Sequence, residues 1–260
     1  MTMFIDSHAH IDSVDFQTDR AAVLERARLA RVERILAISS ATSLETAKLA
    51  VNLAEENSCL DIAIGLHPHE ASSASESHFD LMSQISGHPR VVAWGEIGLD
   101  FHYDHSPREV QRYVFDRQLA LAKQSDLPVI IHTREAEAET LEVLKKHESR
   151  SGRGGILHCF SGSLMMAQEC IEMGFMVSFS GMLTFPKAQG VRDVARTIPL
   201  DRVLIETDSP YLAPVPYRGK RNEPAYVVET ARTLAELRGL GIVEIAEITS
   251  ENYRRLFQLA

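Results

Sequence analysis

The sequence predicts an α/β fold, a single (β/α)8 barrel with an extra C-terminal helix, on three observations. Eight short apolar runs recur along 260 residues, most of them β-branched and continuous rather than alternating. Such runs mark parallel strands buried on both faces. Stretches with helical spacing lie between them, and eight strand-then-helix units fit a chain of this length around one core. An open doubly wound sheet is the alternative arrangement. One domain over residues 1–260 is expected, because no repeat, low-complexity tract or Gly/Ser-rich linker divides the chain.

In chain order, the first strand is read at Phe4 to Asp6 and a helix at Arg20 to Arg31. Strand two, Ile35 to Ile38, precedes a helical stretch from Ser43 to Glu56; strand three, Ile62 to Gly65, precedes a Ser-rich patch at 71–77 that reads as a loop entering a helix cap. Strand four is Val91 to Trp94, followed by a helix at Arg108 to Gln124, and strand five is Val129 to Ile131, followed by a helix at Glu135 to Lys146. Gly155 to Leu157, Phe175 to Phe179 and Val203 to Ile205 complete the eight. Met165 and Met166 read as helix packing. A loop with Pro210, Pro214, Pro216 and Gly219 then leads to helical patterns at Ala225 to Leu237 and Val243 to Phe257, the second being the extra helix.

Lys and Arg total 27 against 36 Asp and Glu, so a net charge of −9 repels polyanions at long range and confines any nucleic-acid contact to a local site. Cys59, Cys159 and Cys170 are odd in number and unpaired in spacing, as expected of buried reduced thiols in a cytoplasmic protein. Polar Asp6 and His8 come too early for a secretory signal, and no apolar run is long enough to span a membrane.

The chemistry gathers where strands end. Residues two apart on a strand share a face, so His8 and His10 can reach one point. His67 and His69, Glu96, His132, His158, and Glu206 with Asp208 stand at the ends of five further strands. A lone histidine there is usually a hydrogen-bonded core residue and a lone carboxylate a helix cap, but convergence from six strand ends points to a metal site. The nitrogen and oxygen donors suit Zn, Mn, Fe, Co or Ni, with Mg less favoured by ligand type. More ligands are present than one ion uses, which predicts two divalent metal ions with Glu96 between them. Two cations about 3.5–4 Å apart lower the pKa of a shared water, which is the chemistry of hydrolysis. Asp208 is placed to hold one ion and accept the proton, and Glu206 to support the ligands from behind. His67, Arg134 and Arg218, the last in a cluster with Lys220 and Arg221, are candidates for binding an anionic substrate. His102 and His105 read as a solvent-exposed loop.

Taken together, FIDSHAHID at 4–12, GLHPH at 65–69, GEIGLDF at 95–101, IHTREA at 131–136, HCFSG at 158–162, ETDSPYL at 206–212 and YRGKRNEP at 217–224 closely resemble the TatD family of metal-dependent deoxyribonucleases, amidohydrolase-like TIM barrels. The resemblance runs from residue 3 to about residue 258. It implies a binuclear site with His8, His10, Glu96, His132, His158 and Asp208 as ligands, Glu96 standing where relatives bridge with a modified lysine, and His67 on the phosphate side. It also implies hydrolysis of DNA with a divalent metal, often from the 3′ end. A net charge of −9 speaks against broad attraction to long duplex and leaves single-stranded DNA ends or short oligonucleotides as the expected substrate, taken 3′ to 5′, and a monomer without an obligate protein partner is expected. A small-molecule amidohydrolase or lactonase using the same ions, and a non-catalytic metal-stabilised scaffold, are the alternatives.

Overall fold

The computed structural model describes residues 3–148 and 153–259. Strands and helices alternate as β1 (Phe4–Ala9), α1 (Arg20–Leu29), β2 (Val32–Ser40), α2 (Leu44–Glu56), β3 (Leu60–Gly65), α3 (Glu76–Ile85), β4 (Val91–Asp100), α4 (Arg108–Gln124) and β5 (Val129–Arg134). They continue as α5 (Glu137–Glu148), β6 (Gly155–Leu157), α6 (Leu164–Glu172), β7 (Met176–Phe179), α7 (Gln189–Thr197), β8 (Val203–Ile205), α8 (Val227–Arg238) and α9 (Ile242–Phe257). The strands are parallel and ordered β1 to β8, each paired with the next. A bridge between Ala9 and Ser209 joins the two edges, so the sheet is a near-closed barrel rather than an open layer.

Two apolar layers follow from strand alternation. Ile5, Leu36, Ile38, Ala63, Ala93, Ile130, Ile156, Met176 and Leu204 fill the barrel interior together with Tyr253, Leu256 and Phe257 of α9. The intervening strand residues, among them Phe4, Ile35, Ile62, Trp94 and Val203, pack outward against the helices. The C-terminal helix therefore stoppers the end where strands begin. There Tyr253 Oη donates to Asp61 Oδ2 at 3.0 Å, and Arg34 Nη1 donates to Asp61 Oδ1 at 2.7 Å. The opposite mouth, at the strand carboxyl ends, is left for chemistry.

Regular alternation from Ile130, Ile156 and Leu204 carries His132, His158 and Glu206 to the inside. β1 and β4 need an extra residue to do the same. Asp6 and Ala9 pair with Ile35 and Ala37, and Trp94 and Ile97 pair with Val129 and Ile131, so each strand inserts one residue relative to its neighbour. Such a bulge reverses the facing of everything beyond it. Ala9 and Ile97 consequently join the outer layer, and His10, Glu96 and Asp100 turn inward. Close approach of the backbones accompanies the β4 bulge: a Cβ on Gly95 would sit 2.5 Å from Ile130 Cβ, and one on Gly98, at φ +146°, 1.9 Å from His132 O.

Several expectations change. β4 continues past Trp94 to Asp100, and α3, α6 and α7 join the helices read from the sequence. Met166 is buried as expected, but Met165 is 63% exposed, on the face of α6 turned to solvent. Cys170 is buried, while Cys59 and Cys159 are only half-buried; all three are free thiols. Among the described residues no helix is long and apolar enough to cross a membrane.

Candidate metal centre

The barrel seam assembles the first half of the site. Asp208 N donates to His8 O at 3.0 Å and His10 N donates to Ser209 O at 2.8 Å, so pairing the two edge strands brings residues 200 positions apart side by side. His8 Nε2 then lies 3.7 Å and His10 Nε2 3.5 Å from Asp208 Oδ1. Asp208 takes a left-handed backbone, φ 58°, a conformation that Asp tolerates better than most residues and that the seam hydrogen bond holds in place.

Glu96 joins this half to the other. Its Oε2 lies 3.3 Å from His8 Nε2 and 3.9 Å from His10 Nε2. Its Oε1 lies 2.7 Å from His158 Nε2, 2.8 Å from His132 Nδ1 and 3.4 Å from His67 Nε2. One carboxylate thus addresses two sets of imidazoles. Three overlapping donor groups result, namely His8, His10 and Glu96; His67, Glu96 and His132; and His8, His158 and Glu206.

The unmet hydrogen bonds of this cluster fit a metal. His8 is fully buried, yet neither of its ring nitrogens has a hydrogen-bond partner. Orphaned imidazole nitrogens are costly in a core unless an ion takes their lone pairs. Charge agrees. Burial alone would raise the Glu96 carboxyl, but His158, His67 and His132 overcome it and hold it well below the carboxylate range. Burial likewise opposes ionisation of Asp208, and His10, His8 and His158 outweigh it. Both carboxylates are therefore ionised and able to hold a cation.

Behind these residues lies a supporting layer. Glu206 Oε1 accepts from Cys159 N at 2.8 Å and lies 3.4 Å from His158 Nδ1. Asp100 Oδ2 sits 3.1 Å from His132 Nε2 and 3.0 Å from His69 Nε2, and Oδ1 accepts from the backbones of His102 and Tyr103. Asp100 escaped the sequence reading, although it shares the face of Glu96 four residues on. Asp6 was missed as well. Burial pushes its carboxyl up to about 8 despite hydrogen bonds from Thr207, so at neutral pH it is largely uncharged beneath the site.

His67 differs from its neighbours. Its Nδ1 accepts from His69 N at 3.1 Å, so in the neutral ring Nε2 carries the proton and faces the cavity as a donor. Burial pushes the ring down to about 4, against the pull of Glu96. The cavity above the cluster has a volume of about 970 Å³ and is lined by His10, His67, Glu96, His132, His158 and Asp208 together with His69, Tyr103, Arg134 and Tyr211. Arg134 is among its lining residues, with its guanidinium over the Tyr103 ring. Arg218 does not line it: its guanidinium lies 3.8 Å from the Phe185 ring centre and donates to Ala213 O. Arg221 is turned to Asp19 at 2.7 Å, and Lys220 lies over Tyr217. His102 and His105 are exposed in the loop after β4, as expected, with His102 paired to Glu135 and His105 edge-on to His69.

With this geometry in place, the TatD related DNase family model matches residues 5–258. The chain belongs to the TatD family of metal-dependent hydrolases. It is 44% identical over 257 residues to the uncharacterized metal-dependent hydrolase YabD of Bacillus subtilis, covering 99% of this chain and 100% of that one. It is 38% identical over 258 residues to YcfH of Escherichia coli K12, also an uncharacterized metal-dependent hydrolase, covering 98% and 96%. The crystal structure of the TatD homolog YjjV from Escherichia coli K12 superposes with a TM-score of 0.92 at 36% identity, covering 99% of this chain and 98% of that one.

Proposed function

We propose that this TatD-family hydrolase is a phosphodiesterase that shortens single-stranded DNA from its 3′ end. When bound, two divalent cations, held by His8, His10 and Asp208 on one side of Glu96 and by His132 and His158 on the other, supply Lewis acidity toward a phosphoryl oxygen and lower the pKa of water. The observation that carries the reading is the division of Glu96, with Oε2 toward His8 and His10 and Oε1 toward His132 and His158.

The protein's own groups then have separate tasks. The Asp208 carboxylate, which its histidine neighbours keep ionised at neutral pH, takes a proton from the attacking water. His67 Nε2–H, neutral and aimed into the cavity, donates to a non-bridging phosphate oxygen. Arg134 adds a planar cationic donor at the mouth. Asp100 and Glu206 fix the rings of His132 and His158. A net charge of −9 disfavours tracking along duplex DNA and leaves strand ends that enter the mouth singly.

The test is to incubate manganese- or magnesium-loaded protein with 5′-labelled single-stranded oligonucleotides beside panels of esters, lactones and amides. A ladder shortening from the 3′ end supports the reading. Turnover confined to the small-molecule panels overturns it.

A further inference from the structure

Two exposed aromatic rings face the cavity from opposite sides of the barrel. Tyr103 follows β4 and Tyr211 follows β8, half the circumference of an eight-stranded barrel apart, and both line the cavity that Glu96 and Asp208 also line. They are 53% and 57% exposed, and of the exposed large hydrophobic residues among those described they are the two that line the cavity. Their main chains are pinned. Tyr103 N donates to Asp100 Oδ1 at 2.9 Å; Tyr211 N donates to Asp208 O at 2.9 Å, and Tyr211 O accepts from buried Asn222 Nδ2. The fold thus holds two half-exposed rings at the mouth beside the proposed metal ligands. The Tyr211 ring meets His10 edge-on, with centres 5.9 Å apart. The Tyr103 ring carries the Arg134 guanidinium over it at 5.1 Å and His105 parallel to it at 5.7 Å, so a base stacks there by joining that stack or displacing one of these groups.

Wet aromatic faces of this kind suit planar, π-faced ligands. Every nucleobase offers such a face, and stacking tolerates any sequence. The same mouth carries Glu70, Glu135 and Glu137, which disfavour a long run of phosphates. We propose that Tyr211 and Tyr103 are stacking walls that grip unpaired nucleobases on the two sides of the reacting phosphate, so that the cavity selects unstacked strand ends without reading their sequence. The proposal rests on the phosphodiesterase reading above. A paired, stacked base keeps its faces covered by its neighbours and gains nothing from either wall.

The experiment compares two probes, thymidine 5′-monophosphate and 2-deoxyribose 5-phosphate, by calorimetric titration of the manganese-loaded protein. It is repeated on Tyr211→Ala, Tyr103→Ala and the corresponding Phe variants, each first shown to melt like the parent. The parent is expected to bind the nucleotide roughly 5- to 150-fold tighter than the base-free phosphate, the range that stacking one base provides. At least one Ala variant loses that ratio, both Phe variants keep it, and affinity for the base-free phosphate stays put. Oligonucleotide cleavage adds a second readout: the Ala variants raise KM for an ordinary 3′ end and leave KM for an abasic end unchanged. Equal affinity of the parent for both probes, or a ratio that survives in both Ala variants, overturns the proposal. A base advantage without oligonucleotide cleavage supports the walls and removes the nuclease reading; cleavage without a base advantage does the reverse.

Discussion

Asp100 Oδ2 lies 3.1 Å from His132 Nε2, on the side of the ring opposite the Nδ1 that approaches Glu96. This contact sets the tautomer. With the proton held on Nε2 by Asp100, the Nδ1 lone pair is free for an ion. Asp100→Ala is therefore expected to weaken metal binding by about 10- to 100-fold, measured by manganese titration of the metal-free protein. An unchanged affinity would show that His132 is oriented by something else.

Asp208→Asn keeps the size of the side chain and removes its ionised oxygen. If Asp208 takes the proton from the attacking water, kcat falls by about 10²- to 10⁴-fold. Because Asp208 also holds one cation, metal binding is expected to weaken as well, so kcat is compared at saturating manganese, with the melting temperature near that of the parent. Recovery of the parent kcat at saturating manganese would leave Asp208 with ligation alone and exclude it from proton transfer.

His67 makes a prediction about pH. Its folded pKa is pushed down to about 4, from an ordinary value of about 6.5. Between those values the unfolded chain carries the proton and the folded chain does not, so the unfolded state binds more protons and folding stability rises with pH. This stabilisation is lost as pH falls from about 6.5 through about 4. Urea midpoints of metal-free protein across that window should fall more steeply for the parent than for His67→Gln. Parallel curves would show that the ring titrates normally.

The closed end of the barrel should answer to stability alone. Tyr253→Phe removes the hydroxyl that donates to Asp61 at 3.0 Å and leaves a buried acceptor short of one partner. A loss of about 1–3 kcal/mol of unfolding free energy is expected, with metal content and catalysis unaltered. A change in metal affinity would mean that the two ends of the barrel are coupled.

What the sequence disclosed depended on regular alternation. His132 and His158 each stand two residues beyond an interior apolar position, so a short run ending in histidine was enough to find them. Glu96 was found by its place after VVAWG, but the bulge that turns it inward leaves no mark in hydrophobic pattern. Gly95 and Gly98 made the strand look finished at Trp94, which hid Asp100 although it stands four residues beyond Glu96 on one face. Arg218 looked like an anion donor because charge is visible in a sequence and direction is not; its side chain lies over Phe185. The tyrosines beside Asp100 and Asp208 were equally silent, because only the closed ring of strands sets β4 opposite β8.

The account turns on one carboxylate serving two cations, and anomalous scattering from manganese-loaded crystals tests it most directly. Two peaks are predicted, one between Glu96 Oε2 and the His8–His10 pair and one between Glu96 Oε1 and the His132–His158 pair. A single peak, or ions bound away from Glu96, would contradict it.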